Sequence, residues 1–386
     1  MFLQIHTLTS FHASLLNRDD AGLAKRIPFG DADRLRISSQ CQKRHWREAL
    51  KSELNLPDGI RSREFFSRIV LPRLIGEKAV NEALARTLVE SLVAKLISGG
   101  VDKANPLSMK QPALFGKPEA DFFVDLLFEC AQAEDEKSAL ARLADRLKTD
   151  KKSFKAMLQQ AGHGNLFAGF EGALFGRFVT SDILARSDAP VHVAHAFTVH
   201  PLKSEVDYFT VVDDLNQDEE TGAAHAGDME LGSGLFYEYV VVDVPLLVSN
   251  FTGCEPEDWR AQDCADVQGV MQALITVIAS VTPGAKLGST APHARADFVL
   301  LESGRQQPRS LANAYLQSLG FKTGDDPMQQ AVDALGRHCQ AMDSMYGETA
   351  EYRVVASTKV ADALANVPQN PLPEAVDLAI AAVFGG

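Results

Sequence analysis

The sequence predicts an α+β protein in which a core of alternating strands and helices carries two appendages, a helical insertion and a long β-hairpin. Strand-like alternation opens the chain at residues 2–9 and returns near its end at 352–357. Between them, apolar residues recur at three- and four-residue steps over 77–97 and 119–148, a spacing typical of helices. Two β-rich runs flank a polar tip at 216–227, which indicates a protruding hairpin.

The other elements follow from the same patterns. A strand is predicted at 34–37, and a helix follows it because Ser39 can cap the first turn while Gln42 closes a capping box. The remaining predicted elements are strands over 191–199 and 235–248 and helices over 267–281, 309–319 and 327–345. This order is compatible with a ferredoxin-like sheet.

Composition limits the function classes. Of the 386 residues, 46% are apolar and 23% are charged, which is ordinary for a soluble globular protein. No apolar run reaches the roughly 18–20 residues that a membrane span needs, and no signal peptide precedes the first strand. The five cysteines are scattered without a Cys-x-x-Cys pair and fit reduced thiols. We therefore expect a cytoplasmic protein with no membrane partner, no bound metal and no other cofactor.

Charge is unevenly distributed along the chain. The net charge is −13, which taken alone argues against a nucleic-acid partner. However, residues 34–73 hold ten basic side chains and only four acidic ones. This distribution allows one face to bind an anion while the rest of the surface repels nucleic acid, although a solvated helical surface has the same pattern.

The helix that begins near Ser39 has a basic side. Lys43 and Arg47 recur at helical spacing on that side, whereas Trp46 and Leu50 lie on the other. Cations bind phosphate without reading the base, and the free N–H groups at a helix N-terminus add to the attraction. The side chains that can reach one phosphate groove, from this helix and the loop before it, are Arg18, Lys25, Ser38, Gln40, Lys43, Arg44 and Arg47.

Seven segments, taken in chain order, resemble the type I-E CasC, or Cas-seven, family of CRISPR proteins. The segments are 16–20 (LNRDD), 34–44 (RLRISSQCQKR), 194–196 (AHA), 207–215 (DYFTVVDDL), 232–237 (GSGLFY), 281–286 (VTPGAK) and 310–314 (SLANA). They cover nearly the whole chain in family-like order, whereas residues 60–160 and the last 30 residues do not contribute to the resemblance.

The resemblance implies a fold shaped like a right hand. Its palm is a modified RNA-recognition-motif sheet, its fingers are helical, and its thumb is a β-hairpin. The implied divisions are 1–59 for the N-terminal part of the palm, 60–190 for the fingers, 191–200 for a palm strand, 201–233 for the thumb and 234–386 for the C-terminal part of the palm.

The resemblance also implies a function without chemistry, so we expect no enzyme activity. Family members are backbone subunits of the type I-E Cascade surveillance complex in antiviral defence. Several copies stack head-to-tail along one guide crRNA into a helical ribonucleoprotein, and each thumb displaces a base at regular intervals. The remaining bases pair with target DNA. Other Cascade subunits and a nuclease that acts on the target are the further partners.

The thumb side chains follow from the same resemblance. Tyr208, Phe209 and Thr210 fall on the hairpin, and Phe178 falls between fingers and palm. Tyr208 and Phe178 stand where the family can have tryptophan and methionine, and both remain large and apolar. Adjacent residues of a strand point to opposite faces, so one of Tyr208 and Phe209 packs and the other wedges. We assign the wedge to Phe209 with Phe178.

Alternatives stay open at several positions. Ser38 can act only as a helix cap, and Arg18 can form a local salt bridge with Asp19 or Asp20. A backbone ribonuclease that cuts bound target RNA would use Asp31 or Asp33, between the first two strands. A metalloenzyme would use the group His192, His195, His200, Asp213 and Asp214. The spacing of that group is unfavourable, because positions i and i+3 of a strand point to opposite faces.

Overall fold

The computed structural model describes residues 1–97, 100–148, 166, 168–177, 187–211, 225–284 and 290–385. Helices combine with antiparallel strands, which confirms the predicted α+β class. Contacts divide the chain into two units: the first contains Met1–Leu54, His192–Asp243 and Gln268–Gly386, and the second contains Asn55–Val191 and Val244–Val267. The division into palm, fingers and thumb stays a prediction, and Val244–Val267 groups apart from the rest of the predicted C-terminal palm.

The elements have the following bounds. The described strands are β1 (Phe2–Ser14), β2 (Arg26–Phe29), β3 (Ala32–Ile37), β4 (Gly59–Ser62), β5 (Ala113–Gly116), β6 (Val191–Val193), β7 (Ala196–Thr198), β8 (Ser204–Val211), β9 (His225–Asp243), β10 (Phe298–Gly304) and β11 (Tyr352–Ser357). The described α-helices are α1 (Ser39–Glu53), α2 (Leu71–Gly76), α3 (Glu82–Leu96), α4 (Lys117–Ala131), α5 (Glu136–Lys148), α6 (Gly169–Phe175), α7 (Val244–Thr252), α8 (Ala265–Ser280), α9 (Pro327–Tyr346) and α10 (Leu372–Phe384). None of these helices is both long and apolar enough to cross a bilayer.

The first unit is built on one sheet in which the N-terminal strand is an interior strand. The strand order is β11-β10-β1-β9-β7-β3-β2, and β6 and β8 also pair with β9. β1 is buried over residues 3–9 and pairs with β10 on one side and β9 on the other. The first part of β9 pairs instead with β8, from Ser204 opposite Gly232 to Val211 opposite His225. One strand of the hairpin is therefore the first part of β9, which continues into the core of the sheet.

One buried carboxylate links several strands of this sheet. Glu302 on β10 accepts hydrogen bonds from His6 Nε2 on β1 (3.1 Å), Arg309 Nη1 (2.7 Å) and Arg353 Nε on β11 (2.6 Å). Burial alone raises the pKa of Glu302, but the hydrogen bonds from His6 and Arg309 outweigh burial and hold that pKa below its ordinary value. Asp343 on α9 binds both Nη atoms of Arg353, at 2.6 and 2.8 Å, so the two guanidinium groups face two carboxylates.

The second unit has its own apolar core between the helices α2–α6 and the β4–β5 pair. Phe65 and Phe115 stack with their ring centroids 4.4 Å apart, and Phe66 and Phe123 pack beside them. All four rings are buried. This core forms within the region where the sequence predicted mainly helices.

Several predicted elements differ from the observed ones. Residues 309–319 do not form a helix, and only a 3₁₀ turn, Ala312–Tyr315, is present, because the Tyr315 side chain enters the core and donates to Ala331 O (2.9 Å). The strand predicted over 235–248 ends at Asp243, where α7 begins with a proline in its first turn. The strand predicted over 191–199 is interrupted between β6 and β7, and β10 and α10 have no counterpart in the sequence prediction.

The Glu302 cluster makes a testable contribution to stability. In Glu302→Leu, Arg309 and Arg353 keep their largely buried positions but lose their shared acceptor. Removing one partner of a buried ion pair costs about 3–5 kcal/mol, and we expect a loss of this size in the free energy of unfolding measured with urea. The matched control is Glu351→Leu, which removes an exposed carboxylate 3.6 Å from Arg305. An exposed pair contributes up to about 1 kcal/mol, so equal losses in the two variants would contradict the assignment.

A second carboxylate, Glu238 on β9, lacks such partners. Its Oε2 accepts from the Thr7 hydroxyl at 3.3 Å, while its Oε1 is buried and has no donor within the described part of the chain. Burial raises the pKa of Glu238 to about 8, although the Thr7 bond opposes the shift. The folded protein therefore holds a proton that the unfolded chain releases above about pH 4.5.

We expect Glu238 to make the folded state less stable as the pH rises. Between about pH 5 and 8 the folded state binds more protons than the unfolded state, so the free energy of unfolding falls by up to about 1.4 kcal/mol per pH unit. Glu238→Gln removes this slope. The measurement compares urea unfolding of both proteins at several pH values, with the exposed Glu205→Gln as the control. Parallel pH profiles for wild type and Glu238→Gln would contradict the expectation.

Candidate nucleic-acid interface

Helix α1 begins at a closely bonded junction. The cap is Ser38 and not the predicted Ser39: Ser38 Oγ accepts from the Cys41 N–H at 3.3 Å. The Ser38 N–H donates in turn to Asn17 Oδ1 at 2.9 Å. Gln42 does not close the predicted capping box but donates from Nε2 to Ile37 O (3.0 Å) and to the carbonyl of residue 194 (3.2 Å). The first turn is therefore tied to the loop before β2 and to the strands beside it.

The two faces of α1 separate as the sequence predicts. Trp46 and Leu50 are buried in the first unit. On the other side, Gln40 and Arg44 are exposed, and Lys43 is partly exposed. Arg47 is also partly exposed, so the basic side chains of α1 lie at or near the surface.

The loop between β1 and β2 presents two further cations. Arg18 is exposed, and its backbone pairs with Ala24. The Asp19 carboxylate accepts from the N–H groups of residues 21 and 23, at 3.0 and 2.9 Å, and no ion pair of Arg18 occurs among the described residues. Lys25 is held by its backbone, which donates to Asn17 O and accepts from the Arg36 N–H, both at 2.8 Å.

A pair that the sequence did not single out lies beside these residues. Arg36 on β3 donates from Nη1 to Nδ1 of His195, between β6 and β7, at 2.7 Å. Partial burial lowers the pKa of His195, and Arg36, Lys25 and Lys43 lower it further. Burial raises the pKa of the Cys41 thiol, while Lys25 and Arg44 oppose that shift. These influences place the cations of the loop, β3 and α1 around one surface.

Only some of the basic side chains of residues 34–73 are available to bind an anion. Arg34 is fully buried and donates to Thr198 O (2.9 Å) and Tyr315 O (3.0 Å), so it supports the fold. The window arginines of the second unit that already lie within salt-bridge distance of carboxylates are Arg63 with Asp102, Arg68 with Glu64, and Arg73 with Glu77 and Asp121. The first unit therefore offers its cations from α1, β3 and the loop before β2.

The two hairpin aromatics differ in exposure, and the assignment of the wedge to Phe209 stays a prediction. Tyr208 is 68% exposed, whereas Phe209 is partly buried over Gly227, which lies directly opposite it on β9. A Cβ atom at Gly227 would lie 2.7 Å from Phe209 Cζ, so the glycine makes room for the ring. Thr210 is exposed. Phe178 and residues 212–224 of the hairpin lie outside the described residues.

The base of the hairpin is acidic and is anchored to the basic loop. Glu205, Asp207 and Asp228 are exposed. Glu230 is buried and accepts from the Ala24 N–H at 2.8 Å and from the Arg26 guanidinium. These bonds fix the position of the hairpin base relative to the loop that carries Lys25.

Three residues of the alternative functions, Asp31, His195 and His200, form other hydrogen bonds. Asp31 accepts from Ser318 N–H and Oγ, at 2.8 and 2.9 Å, and these bonds lower its pKa, while Asp33 is exposed. His200 donates from Nδ1 to Pro201 O (2.7 Å) and accepts at Nε2. His192 is exposed, and Asp213 and Asp214 lie outside the described residues. Within the described ranges, no three His, Cys, Asp or Glu side chains are arranged to hold a metal ion.

Sequence reasoning gave Arg36 no specific role and treated His195 only as a metal-ligand candidate. Both residues fall in segments that carry the family resemblance, which is the available signal. Their contact joins positions 159 residues apart and depends on the pairing of β3 with β7.

Residues 3–380 match the model of a family described as CT1975-like protein. Among solved structures, the chain is similar to one described as "CRISPR RNA-guided surveillance complex, pre-nicking", with 25% sequence identity, a TM-score of 0.79 and 100% of each chain covered. It is also similar in fold to one described as "CRISPR RNA-guided surveillance complex", with 21% identity, a TM-score of 0.59 and 100% of each chain covered. None of the curated proteins matches the chain.

Proposed function

The chain belongs to the CT1975-like protein family, and from this premise we propose that it is a crRNA-binding backbone subunit of a CRISPR surveillance complex of type I-E. The observation that carries the proposal is the cluster of cations on the first unit of a chain whose net charge is −13. Arg18, Lys25 and Arg44 reach the surface there beside Arg36 and Lys43. The 25% identical solved structure, described as RNA-guided, supports RNA as the ligand.

The subunit binds the sugar-phosphate backbone of the RNA. Lysine and arginine neutralise phosphates without reading base edges, which suits a subunit that serves many guide sequences. Ser38 and Gln40 lie at the N-terminal turn of α1, where backbone N–H groups and the helix dipole favour a phosphate. The chain as a whole has a net charge of −13, which favours confinement of the RNA to the cationic region.

Copies of the subunit stack head-to-tail along the guide, with the hairpin as the thumb that displaces one base at regular intervals. A heterologous contact of this kind forms an open helix. The exposed ring of Tyr208, with Thr210 beside it, acts as the wedge, and Phe209 supports it by packing on Gly227. The undisplaced bases pair with target DNA. The subunit performs no chemistry, other subunits complete the complex, and a separate nuclease cuts the target.

The first prediction for this function concerns the basic side of α1. Lys43→Ala with Arg47→Ala should lower RNA affinity by a similar factor for unrelated guide sequences. The slope of log K against log salt concentration should fall by roughly 0.7 for each phosphate that the variant no longer neutralises. Filter binding at several salt concentrations measures both quantities. Arg86→Ala with Lys117→Ala removes two exposed cations of the second unit as the control. An unchanged slope in the α1 variant would exclude this helix from the RNA contact.

The second prediction concerns the wedge. A complex assembled with guide should tolerate target mismatches at regularly spaced positions, because displaced bases cannot pair. Tyr208→Ala should reduce the tolerance of mismatches at those positions, because a stacked aromatic ring contributes about 1–3 kcal/mol per base and its loss lets the displaced base pair again. The matched control is Val206→Ala, two residues earlier on the same strand and 62% exposed. A mismatch scan of the target tests all variants.

Two results of the scan would count against this assignment. If the intact complex shows no regularly spaced tolerated positions, the hairpin displaces no base. If Phe209→Ala alters the pattern and Tyr208→Ala leaves it unchanged, Phe209 is the wedge and Tyr208 only lines the hairpin surface.

A further inference from the structure

The hydrogen bonding of Arg36 differs from that of the structural arginines. Among the described residues its guanidinium forms one hydrogen bond, from Nη1 to His195 Nδ1 (2.7 Å), and its Nε–H is buried without an acceptor. Arg36 also has no carboxylate within salt-bridge distance in that part of the chain. By contrast, Arg309 and Arg353 are each bound to carboxylates. A guanidinium group has five N–H donors in a plane, so Arg36 retains donors for an acceptor from outside the chain.

His195 is held in one tautomer by this bond. Because Nδ1 accepts from Arg36, the ring proton lies on Nε2 and the imidazole is neutral. The side chain is exposed, so the Nε2–H is a donor available beside the guanidinium. The nearby charged groups that act on the ring are Arg36, Lys25 and Lys43, all of them cations.

The backbone around the pair is already ordered. Arg36 lies opposite Phe197 in the β3–β7 ladder, and its N–H donates to Lys25 O. The residue before His195 is fixed on both sides, since its N–H donates to Tyr239 O (2.9 Å) and its carbonyl accepts from Gln42. The donors therefore occupy set positions before a ligand binds, which reduces the ordering cost of binding.

We propose that Arg36 and His195 form a phosphate site on the β3 side of α1, which takes one phosphodiester of the bound RNA. This inference rests on the proposed function. The planar guanidinium donates to the phosphate oxygens, the neutral imidazole adds its Nε2–H, and Lys25 and Lys43 supply charge on either side. The site extends the proposed RNA path from α1 to β3.

Charge and hydrogen bonding can be separated at this site by two variants. Arg36→Gln removes a cation, so it should weaken RNA binding about tenfold and lower the salt slope by roughly 0.7. His195→Leu removes only a neutral donor, so affinity should fall about fivefold with the salt slope unchanged. His195→Gln can accept from Arg36 and still donate outward, so it should bind RNA within about twofold of wild type. If the pair had only a structural role, Arg36→Gln and His195→Leu would not differ in their effect on the salt slope.

The experiment uses single-stranded RNA and the full-length chain in filter binding, with Arg86→Gln as the charge control and thermal melting as the check on folding. If Arg36→Gln melts early, Arg36→Lys replaces it and should keep the slope while its affinity falls. If Lys43→Ala with Arg47→Ala weakens binding but Arg36→Gln matches the Arg86→Gln control, the Arg36–His195 site is wrong and the proposed function stands. If neither weakens binding, the proposed function fails as well.

Calorimetry with inorganic phosphate tests whether the ligand of the site is free phosphate and not RNA. If Arg36→Gln abolishes phosphate binding but has no effect on RNA affinity, the site binds free phosphate and the proposal is overturned.

Discussion

The hydrogen-bonded ladder between β1 and β9 is the interaction on which the first unit depends. It runs from Phe2 opposite Asp243 to Phe11 opposite Gly234, and residues 3–9 of β1 are buried along it. The same β9 strand pairs with β7 and, farther out, with β8. Thus one strand orients the hairpin and the segment that carries His195. A shift of register by one residue would turn the side chains of β9 to the opposite face of the sheet and would disturb both features together.

Charge within the first unit separates into two classes of cation. Arg309 and Arg353 share Glu302 in the interior, and Arg34 donates to two backbone carbonyls and to Asp31, so their charges are neutralised or bonded internally. Arg18 and Arg36 lack any such carboxylate within the described part of the chain. This separation explains how a chain with a net charge of −13 can still have a local surface suited to an anion, because the total charge does not show which cations are already paired.

Local signals predicted part of this arrangement. The polar and apolar sides of α1 follow from spacing alone, and the structure places Trp46 and Leu50 inside and Arg44 outside. The helix predicted over 309–319 is wrong because burial of Tyr315 against α9 outweighs the apolar spacing of that segment. Which hairpin aromatic packs depends on Gly227 across the strand, and the Arg36–His195 bond depends on strand pairing over 159 residues. Neither relation is visible in a local pattern.

The acidic hairpin base favours a division of labour between phosphate and base contacts. Glu205, Asp207 and Asp228 place negative charge beside Tyr208, so the hairpin surface repels a phosphate backbone at short range. An aromatic ring can still approach the face of a base, since stacking needs no charge. The cations of α1, β3 and the loop between β1 and β2 lie on the same unit, and the bonds of Glu230 to Ala24 and Arg26 fix the hairpin base beside that loop. Under the proposed function, attraction by the cations and repulsion by the hairpin together hold the RNA backbone against the basic surface. The ring of Tyr208 is then left to stack on a base.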